Sequence, residues 1–489
     1  MVIAIAQAGC DSTRPNPEYC GGNGVCIDPA LPFCDVDGSQ GPAHTEDTCI
    51  AVTCTPGEFI ACRGAETLSC NSTGDNFNVE MCEKGCTVGS ASCTPCTPRE
   101  TRCRDSIVEA CTNDGVFVVA ETCGLGCVDT ATTEPHCAYL EPKYLSNICD
   151  EPSTANQITF QTSTYDTNLD MNCTGGIVPQ NGGPEICVVR ANAISIPQGA
   201  TLTIAGTRAL AFVGDASVDV EGTLDVGAIG ALDGPGGGIG NNGTGGNIDS
   251  DAKGGGGGGF ATPGGHGGSR AADGGAGNGG GSSPNPAILT ALIGGSRGGG
   301  GVGGGGAGGA LMLVACRGKV TIGGTVDASG GGAAPASVSS KVVNGISSFV
   351  GSPGFGGGSG GNIVIQGLQI DLHGRLFATG GGGGSGNENP FNMSAGTPGR
   401  DGGPDGGGAG GSTVRSNGGG GTGAGVGVTG AGALPSPGQA QTGGGSTTPG
   451  GGGGSVGFVQ TYTPEGVTPT RAPTAQSPML QPNLVVKTR

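Results

Sequence analysis

The sequence predicts an all-β protein in which small disulfide-rich tandem modules are followed by a right-handed parallel β-helix with long glycine-rich excursions. Three observations carry this. Twenty of the 21 cysteines fall between Cys10 and Cys187, apolar residues alternate with period two from residue 194, and 111 glycines cluster in long tracts beyond that point. Glycine loses more backbone entropy on ordering than other residues, so these tracts need many hydrogen bonds or a scaffold if they are to order. With 3% aromatic residues in a chain of 489, the length overstates the packable core.

Cysteine density of this kind belongs to oxidising compartments. Cys54, Cys62, Cys70, Cys82, Cys86 and Cys93 are spaced by 8, 8, 12, 4 and 7; Cys96, Cys103, Cys111, Cys123, Cys127 and Cys137 by 7, 8, 12, 4 and 10. Four of these cysteines match at an offset of 41, as do Arg63 with Arg104, Gly74 with Gly115, Glu80 with Glu121 and Gly85 with Gly126. Residues 54–95 and 96–137 are therefore two copies of one module, too small to fold on an apolar core alone. Three disulfides per copy would substitute, each worth about 2–4 kcal/mol. Six cysteines permit 15 pairings, and the spacing selects none. Zinc is the competing reading of the Cys93–Cys96 pair, but that CxxC is a junction between copies, with no counterpart inside either.

Cys20, Cys26, Cys34 and Cys49 form a looser group over 20–53, where CGGNGVC resembles a fragment of growth-factor-like disulfide modules. Residues 138–189, with Cys149, Cys173 and Cys187, read as a linker or cap. The opening MVIAIAQAGC resembles the end of a bacterial lipoprotein signal peptide, which would make Cys10 a lipidation site within a leader and linker over 1–19. Gln7 and the lack of a basic residue before the apolar run depart from that pattern, and a partnerless thiol is the alternative. With Cys10 set aside, twenty cysteines remain for ten disulfides, two of them among Cys149, Cys173, Cys187 and the distant Cys316.

Residues 190–462 read as the solenoid. Ile194/Ile196, Leu202/Ile204, Leu210/Phe212 and Val218/Val220 recur every eight residues, which gives three strands and about 24 residues per coil. VDVEGTLDV at 218–226, VTIGGTVDA at 320–328 and IDLHGRLFA at 370–378 share apolar positions and a central Gly222, Gly324 or Gly374 at a corner. Leu311/Leu313, Ile363/Ile365 and Val456/Phe458 mark further strands emerging from glycine. Excursions at 227–309, 329–361 and 379–455 would leave from one corner of successive coils. They are either flexible linkers or laterally bundled helices of three residues per turn. Residues 463–489, rich in proline and threonine, read as a disordered tail.

The corner pattern looks like filamentous-haemagglutinin-type adhesins, and the whole arrangement is similar to cysteine-rich, glycine-rich secreted lipoproteins of myxobacteria and their relatives. The resemblance implies a secreted or cell-surface structural, adhesive protein in the outer membrane or periplasm, with the cysteine modules as a stalk. The surface ligand, a glycan or another cell-surface protein, is not readable. A net charge of −18 with no basic run excludes nucleic acid, and no apolar run long enough to span a membrane is present, so attachment would be through lipid alone.

Four scattered histidines form no catalytic pattern and no cofactor motif is present. One constellation suggests chemistry. Asp225 and Asp327 occupy equivalent outward positions, as do Asp219 and Asp371. If those coils stack directly, such carboxylates would sit about 4.8 Å apart and could share a calcium ion or act as the acid/base pair of a polysaccharide-binding or polysaccharide-cleaving β-helix. The alternative is a solvated outer face.

Overall fold

The computed structural model describes residues 18–488 apart from 21–24, 41–44, 64, 87–92, 124–125, 131–132, 241, 246–252, 269–288, 344–345, 387–396, 404–406, 409, 411–448, 472–475 and 478–481. The chain divides into two units, Met1–Cys137 and Ala138–Arg489. Among the described residues no helix is long and apolar enough to cross a membrane.

In the first unit each copy of the module is a three-stranded antiparallel sheet, Phe59–Arg63, Glu66–Cys70 and Phe77–Met81 in one and Thr101–Arg104, Ile107–Cys111 and Phe117–Thr122 in the other. The cystines follow one scheme. Cys54–Cys70, Cys62–Cys86 and Cys82–Cys93 join first to third, second to fifth and fourth to sixth, and Cys96–Cys111, Cys103–Cys127 and Cys123–Cys137 repeat it. Cys20–Cys34 and Cys26–Cys49 brace the segment before them. Leu68 of the first copy is buried beside Phe33 of that segment. Glu109, its equivalent at the offset of 41, is buried too, held by Arg102 at 2.8 Å and Arg104 at 3.2 Å.

The second unit is a parallel β-helix of three walls. The first two walls share long strands, Ile186–Ile196, Ala209–Val220, Ala310–Ile322 and Asn362–Leu372, each bent at a register shift. The third is built from Thr201–Ala205, Thr223–Asp225, Thr325–Asp327 and Arg375–Phe377. Ile194 lies beside Val218, then Val320 and Ile370; Leu202 beside Leu224, then Val326 and Leu376. These apolar columns are the interior, fully enclosed. The step of 24 from Ile194 to Val218 is the coil length expected from the alternation. Phe160 stacks on Phe212 at 5.1 Å and meets Tyr165 edge-on at 5.4 Å, closing the first coil's end.

The coils begin earlier and end later than 190–462. Gln157–Thr159 and Ser163–Asp166 already pair with the first full coil. At the other end Thr470–Arg471, Gln476–Ser477 and Leu484–Val485 pair with the last strands, and Val486 is buried. The tail expected to be disordered therefore completes the solenoid over its described residues. Its described prolines, Pro464, Pro469 and Pro482, fall outside the strands, where a missing N–H breaks no ladder. A second correction is one of phase. The last long strand is Phe458–Thr463, and Val459, not Phe458, continues the interior column of Leu311 and Ile363. Phe458 points the other way and packs with Phe260 and Leu289.

The first wall is apolar on both faces. Val188, Ala211, Met312 and Val364 face outward beneath Leu140, Leu145 and Val486, which explains the unbroken apolar runs of these strands. Cys149–Cys316 fastens this cover to the wall, and Cys173–Cys187 ties in the segment before the first full coil.

The described glycine tracts of the excursions pack side by side through backbone hydrogen bonds, in the manner of helices of three residues per turn. Gly304, at φ −66° and ψ 146°, has their conformation. Three consecutive residues show the packing. Gly356 donates to Gly299 and accepts from Gly305; Gly357 donates to Gly452 and accepts from Gly258; Gly358 donates to Gly331 and accepts from Gly381. Successive residues thus bond to different neighbours drawn from all three excursions. The spacing leaves no room for side chains: a Cβ on Gly358 would lie 1.8 Å from the Gly306 carbonyl oxygen. Substituting Gly358→Ala should cost at least about 1–3 kcal/mol, as overpacking a core does. Hydrogen exchange checks this. Tract amides near 254–258, 298–305 and 381 should be protected in the wild type and lose protection in the variant while the walls keep theirs; exchange within the dead time in the wild type would overturn the bundle.

Candidate functional site

Of the two aspartate pairs that the sequence offers, Asp225 and Asp327 lie where excursions leave the third wall, and the register brings that pair together. Asp225 and Asp327 are direct neighbours in the ladder; the next coil has Phe377 at that place. Asp219 and Asp371 are not brought together, because Thr321 lies between them. Asp371 instead faces Lys319 at 3.3 Å; against the opposing effect of burial, the Gln369 amide and then that ammonium hold its carboxyl below the ordinary value.

Each carboxylate of the stacked pair closes a turn in its own chain. Asp225 Oδ1 accepts the Gly227 N–H at 2.9 Å and Asp327 Oδ1 accepts the Ser329 N–H at 2.8 Å. These turns redirect the backbone from the wall into the bundle. A third carboxylate, Asp401 of the last excursion, joins from the other side. Its Oδ1 accepts the N–H of Gly230 at 3.0 Å and of Gly332 at 2.6 Å, clasping the three excursions together. Periodicity gave no sign of Asp401, which lies in an irregular stretch and meets its partners only through the stacking of excursions.

The stacked pair is electrostatically unfavourable. Burial, then the charges of Asp225 and Asp401, push the Asp327 carboxyl up to about 6, and burial also raises Asp225. The only trio of potential metal-ligating side chains drawn closely together among the described residues is Cys20, Cys26 and Cys49, and all three sulfurs are in disulfides.

Beside this corner the bundle presents two exposed turns. The tight turn at Ile229–Leu232 and the turn at Gly301–Gly303 carry Ile229, Leu232 and Val302, which are 60%, 71% and 100% exposed. Two shallow clefts of about 560 and 430 Å3 share Ala231 of the first turn, one running to Asp401 and the other to Val302. Cys10 lies outside the described residues. No protein-family model matches the chain, and no curated protein or solved structure matches it.

The corner predicts a pH dependence. Between the ordinary carboxyl value of 3.8 and about 6 the folded state holds more protons than the unfolded one, so stability falls as pH rises through that window. Asp327→Asn keeps the acceptor for Ser329 and removes the charge. Denaturation midpoints should show the variant more stable by about 1–2 kcal/mol at neutral pH, with the difference vanishing at acidic pH.

Proposed function

We propose that the protein is a secreted or cell-surface structural protein that presents the turns of a rigid glycine bundle as an adhesive surface, with disulfide modules bracing the chain outside the reducing cytoplasm. The observation that carries this reading is the backbone hydrogen bonding among the three excursions. A surface made of free glycine linkers would have to order on contact, at about 1 kcal/mol or more for each residue. Here that cost is met during folding. Ile229, Leu232 and Val302 then stand exposed on turns whose ends are fixed, as a contact surface requires. The carboxylates at the corner serve the bundle's attachment under this reading, since both stacked aspartates accept backbone N–H groups.

Three experiments test it. Beads carrying the full chain should be retained on surfaces under flow, and replacing Ile229, Leu232 and Val302 with serine should lower retention at least about fivefold without changing the melting temperature. Release of reducing or unsaturated ends from a polysaccharide panel, abolished by Asp225→Asn, would overturn this reading in favour of a cleaving β-helix. For the compartment, protein from its native host, denatured without reductant, should show at most one alkylatable thiol, with a diacylglycerol adduct if Cys10 is the anchor. Two or more thiols would exclude an oxidising compartment.

A further inference from the structure

The outer face of the first wall carries a second feature, which does not draw on the adhesive reading. The covering segment runs through Leu140–Glu141, which pairs antiparallel with Lys487–Thr488, and turns back at Pro142–Leu145. Tyr144 is held at φ +69°, in the left-handed region, and the Lys143 N–H is fixed at 2.9 Å by Gln366 Oε1 of the wall. Between this turn and the last coil lies a cleft of about 420 Å3, lined by Glu141, Lys143, Tyr144, Tyr462 and Lys487 among others. That volume is within the range of about 300–1,000 Å3 found for small-molecule sites.

The cleft's polar groups are mismatched in one direction. The Lys143 ammonium is partly buried, donates to Tyr462 Oη at 3.0 Å, and has no carboxylate partner among the described residues. It lies 5.0 Å from the Tyr144 ring centroid and 5.3 Å from that of Tyr462. Burial, with no opposing charge, draws its pKa below the ordinary lysine value. The Tyr462 hydroxyl, accepting from lysine, has its own proton left to donate. Burial pushes that phenol up to about 12, so the proton stays on it at neutral pH. Two donors 3.0 Å apart, one charged, beside a tyrosine ring suit a carboxylate attached to a ring with an apolar face. Of the residues lining the cleft, Glu141 is the one carboxylate, and it is the strand partner of Lys487.

We propose that this cleft binds a single carboxylate-bearing sugar residue of a short oligosaccharide, with Lys143 and Tyr462 holding the carboxylate and Tyr144 the sugar ring. Calorimetry on the full chain with a short oligogalacturonate should show saturable binding, absent for the neutral oligosaccharide of equal length. Lys143→Met, which keeps the apolar stem, and Tyr462→Phe, which keeps the ring in place, should each weaken it about tenfold or more, the loss of one charge-assisted hydrogen bond. Unchanged affinity in Tyr462→Phe, or no binding in the wild type, would overturn the proposal. Inorganic phosphate is the discriminating arm: if it displaces the oligogalacturonate at equal concentration, the cleft is a general anion site and the sugar assignment falls. Loss of binding here would leave bead retention unaffected, so failure of this site and failure of the adhesive reading are separately visible.

Discussion

Parallel registration of one coil on the next is the constraint on which the rest of the second unit depends. Leu224, Val326 and Leu376 stand in one column although about 100 residues separate the first two. Because the register is held by enclosed apolar side chains, a slip of one residue would turn each column to the outside. The corner glycines serve the same registration. Gly324 and Gly374 lie so near the carbonyl of the glycine one coil below that a Cβ would sit 1.8 and 2.0 Å from it. They are required by the close approach between coils, not by a left-handed bend.

The bundle extends this order into chain that has almost no side chains to bury. Glycine helices gain no hydrophobic burial, and each hydrogen bond contributes only about 1 kcal/mol net, so an isolated tract would stay disordered. Two features change the balance. Each excursion is anchored at both ends by adjacent coils, which reduces the entropy lost in bringing the tracts together. The absence of Cβ atoms then lets neighbouring backbones approach closely enough to pair in three directions, as Gly356, Gly357 and Gly358 do. Asp401 adds a direct tie among the excursions at the point where they leave the wall.

Stabilisation is divided differently in the two units. The modules of the first unit bury few side chains and repeat a single three-cystine scheme; the solenoid has a continuous interior, and its Cys149–Cys316 cystine holds a cover on an outward apolar face. Covering that face also creates the cleft of Lys143, Tyr144 and Tyr462. Residues 143 and 462 are brought together only because the start and finish of the unit return to the same wall.

The sequence by itself determined what depends on local spacing: the module repeat at an offset of 41, the period-two strands, the coil length of 24 and the nine-residue corner that stacks Asp225 on Asp327. These are legible because a cysteine framework and a strand's alternation are written in neighbouring residues. Pairings within the cysteine framework depended on how each small sheet folds, and the phase of the last long strand and the structure of the tail on partners far along the chain. The same is true of the clasp by Asp401 and of the Lys143 cleft, whose residues carry no shared spacing. Composition could not tell a glycine linker from a glycine bundle, since the same residues form either. Only the tertiary structure decided it, by setting the ends of three excursions side by side so that their backbones could satisfy one another.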